Sequence, residues 1–323
     1  MRRRAALMGV ATLASAAVTA RAQDVFPSRP VRMIVPFAPG ASSDTLARLI
    51  TAKAAGPLGG SFVVENRAGA GGLIAAQAVA RAAPDGYTLL WGGGTAVTHA
   101  VMQANPGYDI FRDFTPVTEI AENPAVLGVR SASPLRDMAG LIAAAKRPPG
   151  LRYGSGGVGT PAHMAGAALL KTIGAEGTHV PYRGANQATL AVEQGEVDFA
   201  FAISNIALPR QQQGAVRILC TAGSRRMTAL PQVPTLAEVA PGIPPVTSTS
   251  SVVGPAGLPE AVTRRLHAAF RDAVQGDAAL RAALEAEGGE IIVSDSPAAY
   301  AASWAAEVQR LRDLVRISGA TVE

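Results

Sequence analysis

The amino-acid sequence predicts an α/β protein built from two lobes. Short apolar segments alternate with longer segments whose apolar residues recur at helical spacing, the pattern expected when strands and helices alternate along a chain. The 323 residues exceed the usual size of one hydrophobic core, so two lobes are expected. A hydrophobic share of 48% is sufficient to fill both cores.

The first lobe is expected to begin with a βαβαβ unit. Leu46, Leu49 and Ile50 lie on one face of its first helix, and Pro84-Asp85-Gly86 marks the turn before its third strand. The unit comprises a strand at 31–35, a helix at 43–55, a strand at 62–64, a helix at 72–82 and a strand at 87–91.

The second lobe continues this alternation after predicted strands at 115–117 and 126–129. Its elements are a helix at 135–146, a strand at 151–153, a helix at 161–173, a strand at 179–180, a helix at 186–194 and strands at 197–201 and 217–221. Helices at 260–275 and 297–318 close the chain, and the last is expected to pack on the first lobe. Cys220, the single cysteine, lies in an apolar strand and is expected to be a buried thiol.

The N-terminus has the composition of an export signal. Three arginines at positions 2–4 precede an apolar stretch of small residues, and Ala20-Arg21-Ala22 supplies a cleavage site. We therefore expect residues 1–22 to be a signal peptide that is removed near Ala22, which places the mature protein in the periplasm. The arginines leave both the general secretory and the twin-arginine export routes open.

The charge of the mature chain argues against a nucleic-acid partner. The chain carries 29 basic and 24 acidic residues, and four of the basic residues lie in the expected signal, which leaves 25 and a net charge of about +1. The basic pI therefore belongs largely to the signal, and neither nucleic acid nor an acidic membrane surface is indicated. Aromatic residues make up only 5% of the chain, which disfavours stacking on single strands.

Three strand ends open into loops that suit an anion. The first loop runs from Pro36 to Asp44, with Ser42 or Ser43 as the expected helix cap and Asp44 as a partner of the helix dipole. A helix start presents unpaired N–H groups and the positive end of the dipole, which together bind anions. The candidate ligand-binding residues of this loop are Phe37, Ala38, Gly40, Ala41, Ser42 and Ser43.

The second loop, from Tyr153 to Pro161 and here called the glycine loop, and the third loop, from Trp91 to His99, repeat this layout. In the second, Thr160 is the expected cap and Pro161 the first helical residue, and in the third a run of three glycines permits close backbone approach. Ligands of open α/β sheets bind beyond the carboxyl ends of strands, so the three loops are expected to converge on one cleft. The candidate ligand-binding residues are Ser155, Gly159 and Thr160 in the second loop, and Gly93, Gly94 and Thr95 in the third.

The sequence does not indicate a catalytic, metal or cofactor site. The four histidines lack the spacing of a helical metal pair, and Tyr153 stands where a nucleophile elbow around Ser155 needs glycine. Gly154, Gly156 and Gly159 satisfy the dinucleotide fingerprint, with Glu176 near the offset of a ribose-binding acid. The expected periplasmic location argues against a nicotinamide cofactor, so we expect neither enzyme activity nor a cofactor.

Seven motifs between about Phe26 and Gly319 form a pattern known from one protein family. They are Pro36-Phe37-Ala38-Pro39-Gly40, Val64-Glu65-Asn66-Arg67-Ala68-Gly69-Ala70-Gly71-Gly72, Pro84-Asp85-Gly86-Tyr87-Thr88-Leu89-Leu90, Asp113-Phe114-Thr115-Pro116-Val117, Tyr153-Gly154-Ser155, His179-Val180-Pro181-Tyr182-Arg183-Gly184 and Leu230-Pro231-Gln232-Val233-Pro234-Thr235. On these residues the chain resembles the tripartite tricarboxylate transporter solute receptors, the Bug family of periplasmic binding proteins.

The resemblance implies a two-lobe periplasmic-binding-protein clamshell of the type II kind, in which each lobe is a mixed sheet flanked by helices. The chain would cross between the lobes twice, near 122–125 and 245–249. The implied division is a signal peptide at 1–22, lobe one at 23–123, lobe two at 124–247 and the rest of lobe one at 248–323.

The resemblance also implies a function. A small organic carboxylate would be held, partly through water, by the first loop and the glycine loop, with Ser204 and Asn205 as further ligand-binding candidates. The receptor, expected to be a monomer, would deliver this ligand to the membrane subunits of a tripartite tricarboxylate-type transporter. Two alternatives stay open: ligand-dependent contact with a membrane sensor kinase, and a periplasmic enzyme that acts on a small acid.

Two segments depart from the family pattern. Ala202 stands where many relatives carry an acidic residue, which removes a partner for a ligand ammonium and motivates the hypothesis of a non-amine carboxylate. Thr247-Ser248-Thr249-Ser250-Ser251 stands where relatives often place aromatic residues, so this wall of the pocket is smaller and richer in hydroxyl groups.

Overall fold

Residues 26–286 and 288–319 of the computed structural model are described, and they contain ten strands and eleven α-helices. The chain begins with β1 (Val31–Val35), α1 (Ser42–Leu58), β2 (Phe62–Asn66), α2 (Leu73–Ala80), β3 (Thr88–Trp91), α3 (Gly94–Met102) and β4 (Phe114–Arg130). It continues with α4 (Met138–Ala145), β5 (Leu151–Ser155), α5 (Pro161–Thr172), β6 (Gly177–Pro181), α6 (Ala185–Gln194), β7 (Phe199–Ile203), α7 (Ser204–Gln212) and β8 (Val216–Thr221). The last elements are α8 (Leu236–Val239), β9 (Thr247–Pro255), α9 (Glu260–Gly276), α10 (Ala278–Ala286), β10 (Glu290–Ile291) and α11 (Pro297–Ser318). The expected signal peptide and its cleavage site near Ala22 lie outside the described residues.

The strands form one mixed sheet in the order β2-β1-β3-β9-β4-β7-β5-β6, with β8 and β10 also paired to β4. The first sheet section, made of β2, β1, β3, β9, β10 and the first part of β4, has its parallel pairs among β1, β2 and β3. The second sheet section, made of the rest of β4 with β5, β6, β7 and β8, has its parallel pairs among β5, β6 and β7. This is the expected α/β fold with a mixed sheet in each part.

The chain passes between the two sheet sections twice, and the two passages lie side by side. In β4, Pro124 pairs with Thr247 of the first section whereas Ala125 pairs with Ile203 of the second. Just before β9, the amide of Val246 donates to the carbonyl of Ala222 in the second section. These changes of partner fall within the predicted crossover segments. The lobe division at 23–123, 124–247 and 248–323 remains our proposal.

Alternating residues of β1 separate the two faces of the first section. Met33 packs with α1 and α9, where Phe270 is fully buried, and Ile34 packs on the other face with α2, α3 and α11. Burial of a large side chain such as Phe270 stabilises the fold by about 1.5–3 kcal/mol. The second section has its own core, in which Cys220 is buried as expected.

The last helix, α11, packs on both sheet sections. Tyr300 and Trp304 in its first half belong to the core of the first section, and Leu314 near its end belongs to the core of the second. At 1.5 Å per residue its 22 residues extend about 33 Å, enough to reach both. The helix thus packs on the first section, as expected, and also on the second, which the sequence did not predict.

Four helices, α3, α7, α8 and α10, lie where the sequence predicts none. The predicted strands at 115–117 and 126–129 are the two ends of the 17-residue β4. The start of α3 is rich in glycine, which is typical of a loop, and α7 contains Pro209. Tertiary packing outweighs these weak propensities, since Val97 of α3 and Leu208 of α7 are buried in cores. Within the described ranges, no helix has the length and apolar composition needed to span a bilayer.

Candidate functional site

A cavity of about 580 Å³ lies between the two sheet sections. Its walls are loops, helix starts and strand ends that both sections contribute. The lining residues are Phe37, Gly71, Gly94, Thr95, Thr98, His99, Met102, Gln103, Ala125, Gly156, Val158, Gly159, Thr160, Pro161, Ala162, Gly184, Ala185, Ala202, Ile203, Val246, Thr247, Ser248 and Glu307. Among these residues there is neither lysine nor arginine, so the lining offers an anion backbone N–H groups and polar side chains.

Three helices begin at the cavity wall. Gly94 is the first residue of α3, Thr160 caps α5, and Ala185 is the first residue of α6. The first four N–H groups of a helix have no partner within the helix, and the dipole adds about half a positive charge at that end. Several helix starts around one cavity can therefore hold an anion without a cationic side chain.

The start of α5 is built as the sequence predicts. The hydroxyl of Thr160 accepts a hydrogen bond from the amide of His163 and donates one to the carbonyl of Gly157. Pro161 occupies the first turn, where its missing N–H costs no hydrogen bond. Thr160 therefore fixes the glycine loop and the helix start together.

Ser155 does not line the cavity, and its side chain binds the backbone of the glycine loop from the buried side. It is fully buried, its hydroxyl donates to the carbonyl of Gly157, and its Oγ lies 2.8 Å from Nε2 of His179. The ring of His179 stacks on that of His163, with centroids 3.9 Å apart. Burial, with the neighbouring His163, lowers the pKa of His179 to about 4, so this imidazole is neutral near pH 7. The role of Ser155 is therefore to shape the loop.

Close contact between two backbones makes glycine necessary at position 156. A Cβ at Gly156 would lie 2.9 Å from the backbone nitrogen of Ala185 and 3.1 Å from the carbonyl carbon of Gly184. These separations are too short for a side-chain carbon that faces backbone atoms. The glycine loop and the start of α6 are thus in van der Waals contact and form one wall of the cavity.

The helix α3 supplies a polar wall. Nδ1 of His99 accepts from the side-chain amide of Gln103 at 3.1 Å, and Nε2 then donates to the carbonyl of Gly71 at 3.1 Å. The hydroxyl of Thr98 donates to the carbonyl of Gly94. Because these side chains line the cavity, its surface offers hydroxyl, imidazole and amide groups beside the apolar Met102.

The loop around Phe37 is held by a buried carboxylate. Asp44 accepts hydrogen bonds from the amide of Gly40, the guanidinium of Arg48 and the side-chain amide of Asn66. Its hydrogen bond with Arg48 is the main reason why its pKa falls to about 2. The Asn66 amide also donates to the carbonyl of Phe37 at 2.9 Å, so Asp44 and Asn66 fix the backbone of this loop.

Asn66→Ala is expected to raise the rate of amide hydrogen exchange in residues 37–41 about tenfold. The substitution removes the hydrogen bonds from Asn66 to Phe37 and Asp44, which contribute about 0.5–1.5 kcal/mol each to local stability. Mass-spectrometric hydrogen exchange measures this directly. Asn105→Ala, which removes an exposed hydrogen bond to the amide of Gly107, is the matched control and should leave the rate unchanged. Equal rates in wild type and Asn66→Ala would show that Asn66 does not hold the loop.

Five of the predicted ligand-binding residues line the cavity, namely Phe37, Gly94, Thr95, Gly159 and Thr160. In the first loop Ala38, Gly40, Ala41 and Ser43 are not part of the lining, and the side chain of Ser42 lies outside the described parts. The cap of α1 is Ala41, without a side-chain hydrogen bond, so the predicted serine cap is wrong. Asp44, in the first turn of α1, instead accepts from the amide of Gly40, which lies in the loop before the cap.

The other predicted residues that do not line the cavity have structural contacts. A Cβ at Gly93 would lie 2.4 Å from the Trp304 ring, so this glycine is required by packing. Ser204 is fully buried at the start of α7 and donates to the carbonyl of Gly288, and Asn205 follows it in the same helix. The end of β7 turns directly into α7, which directs Ser204 into the core.

Sequence reasoning missed most of the α3 wall, the start of α6 and Glu307. The segment from Arg183 to Ala185 repeats the strand, glycine and helix layout of the other loops, so that signal was present in the sequence. Glu307 was also detectable, because it follows Tyr300 and Trp304 on the apolar face of α11 at helical spacing. A carboxyl group on a buried face is unusual unless it has a function or a partner.

Comparison with known proteins identifies the family of the chain. The sequence profile described as "Tripartite tricarboxylate transporter family receptor" matches residues 46–319. Protein BugT of Bordetella pertussis is 31% identical over 328 residues, which covers 100% of this chain and 99% of BugT.

Two solved structures share both sequence and fold with the chain. The R. palustris protein Rpa4515 with adipate is 31% identical, with a TM-score of 0.78 over 91% of this chain and 98% of the other. MatC from Rhodopseudomonas palustris with bound malate is 33% identical, with a TM-score of 0.74 over 90% of this chain and 100% of MatC. The chain therefore belongs to the tripartite tricarboxylate transporter receptor family, the Bug family of periplasmic solute-binding proteins, which are receptors and not enzymes.

Proposed function

We propose that this protein captures a small organic carboxylate in the cavity between the sheet sections and delivers it to the membrane subunits of a tripartite tricarboxylate-type transporter. The observation that carries the proposal is the convergence of the starts of α3, α5 and α6 on one cavity whose described lining contains no cationic side chain. Two relatives of similar fold were solved with adipate and with malate, which are both carboxylates.

Hydrogen bonds from the helix starts and hydroxyl groups can supply the binding free energy that a micromolar receptor needs. Micromolar affinity corresponds to about 8 kcal/mol. Each hydrogen bond to a charged group contributes about 1.5–3 kcal/mol, and a helix start adds about 0.3–1 kcal/mol. Four or five donors from the helix starts and hydroxyl groups offset the costs of desolvation and ordering, so an arginine is not required.

We assign the carboxylate to the second sheet section, where the glycine loop and the start of α6 are in contact. Gly159, Thr160 and Ala185 would surround it, and Phe37 would cover it from the first section. Phe37 supports this role because its ring is 39% exposed at the cavity although it is strongly hydrophobic. Closure of the two lobes around a ligand would bury this exposed ring.

We further propose how the chain is exported and what the other candidate residues do. Residues 1–22 would direct export and be removed near Ala22, and the product would act in the periplasm as a monomer. The candidate residues Ala38, Gly40, Ala41, Ser42, Ser43, Gly93, Ser155, Ser204 and Asn205 would act by shaping the loops that surround the ligand.

A thermal-shift screen of the purified protein tests this function. The panel comprises mono-, di- and tricarboxylates, hydroxy acids, aromatic acids and amino acids. A ligand that binds only the folded state at 100 times its Kd stabilises that state by about 2.7 kcal/mol, so we expect a rise of several degrees in Tm with one class of carboxylate. Neutral amides of the same acids are the matched control and should leave Tm unchanged. A flat response to every acid would contradict the proposal.

A further inference from the structure

The carboxyl group of Glu307 lies in the cavity, at the start of α3. Its Oε1 is 2.9 Å from the place that a Cβ on Gly94 would occupy, and both residues line the cavity together with Thr247 and Ser248. A helix start that the sequence assigns to the anion of a ligand therefore already has a carboxyl group of the protein beside it.

Groups on three neighbouring elements act on this carboxyl. Burial is the main cause that raises the pKa of Glu307 to about 7, and the charges of Glu119 and Glu122 on β4 act in the same direction. Arg310 on α11 and the hydroxyl of Thr249 on β9 favour the ionised form.

The surroundings leave Glu307 as the acid that a ligand can reach. Glu119 is itself buried, its pKa is raised, and it is not part of the cavity wall. Tyr300 of α11 is also fully buried, which raises the pKa of its hydroxyl, and it lies close enough to Glu307 for the charge of that carboxylate to raise this pKa further. Across the cavity wall, His99 of α3 is the other ionisable side chain among the described lining residues.

We propose that Glu307 receives a proton when an anionic ligand binds, and that the resulting neutral carboxyl donates a hydrogen bond to a second acceptor of the ligand. This inference rests on the proposed function. It makes Glu307 a specificity-determining residue that favours dicarboxylates and hydroxy acids, and it makes capture of the ligand proton-coupled.

The charges around the cavity favour this protonation. An incoming carboxylate brings a negative charge into a cavity that has no lysine or arginine in its described lining and already contains Glu307. Like charges in one site raise the pKa of one member, so the pair retains a proton near neutral pH. A protonated carboxyl is a hydrogen-bond donor, and a dicarboxylate or hydroxy acid supplies the oxygen that accepts it.

The inference refines the hypothesis that the ligand is a non-amine carboxylate. Ala202 lines the same cavity without a charge, which leaves Glu307 as the acidic side chain of the described lining. An ionised Glu307 would favour a ligand ammonium, whereas a protonated one favours an oxygen acceptor. The number of protons taken up on binding distinguishes these two states.

Isothermal titration calorimetry with malate and adipate as probes tests the inference, followed by the other acids of the panel if neither binds. Titrations at pH 6 and pH 8, each in two buffers of different ionisation enthalpy, give the protons taken up per ligand. We expect uptake of about one proton at pH 8 and close to none at pH 6, because free Glu307 is largely ionised only at the higher pH. The wild-type affinity should fall by up to about tenfold per pH unit above pH 7.

Two matched variants locate the proton. Glu307→Gln keeps the shape and a hydrogen-bond donor, and it should bind without proton uptake and with an affinity independent of pH between 6 and 8. Glu119→Gln removes the neighbouring buried acid and should retain the uptake.

Each other outcome overturns the inference. Binding to wild type without proton uptake, binding with proton release, or uptake that persists in Glu307→Gln would each show that Glu307 does not have this role, while the proposed function stands. If no acid of the panel binds either wild type or Glu307→Gln, the proposed function fails and the inference fails with it.

Discussion

Trp304→Ala is expected to lower the free energy of unfolding by about 3–5 kcal/mol. The indole is 2% exposed, contacts Gly93 at the base of α3, and donates from Nε1 to the carbonyl of Ile110. Its removal leaves a cavity in the core that joins α3 and α11, the helices that carry Gly94 and Glu307. Urea unfolding followed by circular dichroism measures this loss.

Phe111→Ala is the control for the loss of a large aromatic side chain. Phe111 is 52% exposed near the same core, so its removal should change the stability by no more than about 0.5 kcal/mol. A loss below about 1 kcal/mol in Trp304→Ala would show that α11 is not anchored by this residue. Equal slopes of the unfolding curves are required for the comparison, because a change in slope indicates a different unfolded or native state.

Ala185→Asp is expected to weaken carboxylate binding about 100-fold relative to Ala185→Asn. Ala185 is the first residue of α6 and lines the cavity, so an aspartate there competes for the N–H groups that we assign to the ligand. A like charge close to the ligand costs several kcal/mol of binding free energy. The expected 100-fold loss of affinity corresponds to about 2.7 kcal/mol. Calorimetric titration of both variants gives the ratio.

The two substitutions at position 185 differ in charge but hardly in size. Asparagine therefore controls for any steric effect of the added atoms. An aspartate in the first helical turn is favourable for the helix dipole, so Ala185→Asp should melt no lower than Ala185→Asn. Equal affinities of the two variants would show that the ligand anion does not lie at the start of α6.

Much of the fold is predictable because local patterns and tertiary packing agree along most of the chain. The segments of β1 and α5 illustrate this, since the apolar run of β1, the Thr160 cap and Pro161 all favour the observed elements. The predictions of secondary structure fail where the local sequence pattern and the tertiary packing disagree. The glycine-rich start of α3 is typical of a loop, but the helix forms because Ala96 and Val97 are buried against Trp304.

The candidate site was predictable as a set of loops but not as a set of side chains. The strand, glycine and helix layout predicted the start of α5, which lies at the cavity, yet the direction of each side chain depends on its neighbours. Ser155 is turned towards His179 and Gly93 is covered by Trp304, and neither contact is visible in the sequence. Glu307 comes from a helix far along the chain, so only the folded structure brings it to Gly94.

The crystal structure of the protein with the carboxylate that gives the largest thermal shift tests the central claim most directly. We predict that one carboxylate group of the ligand lies against the backbone amides at the starts of α5 and α6, without contact to lysine or arginine, and that its second acceptor faces Glu307. A ligand bound outside this cavity, or a carboxylate held by an arginine, would contradict the account.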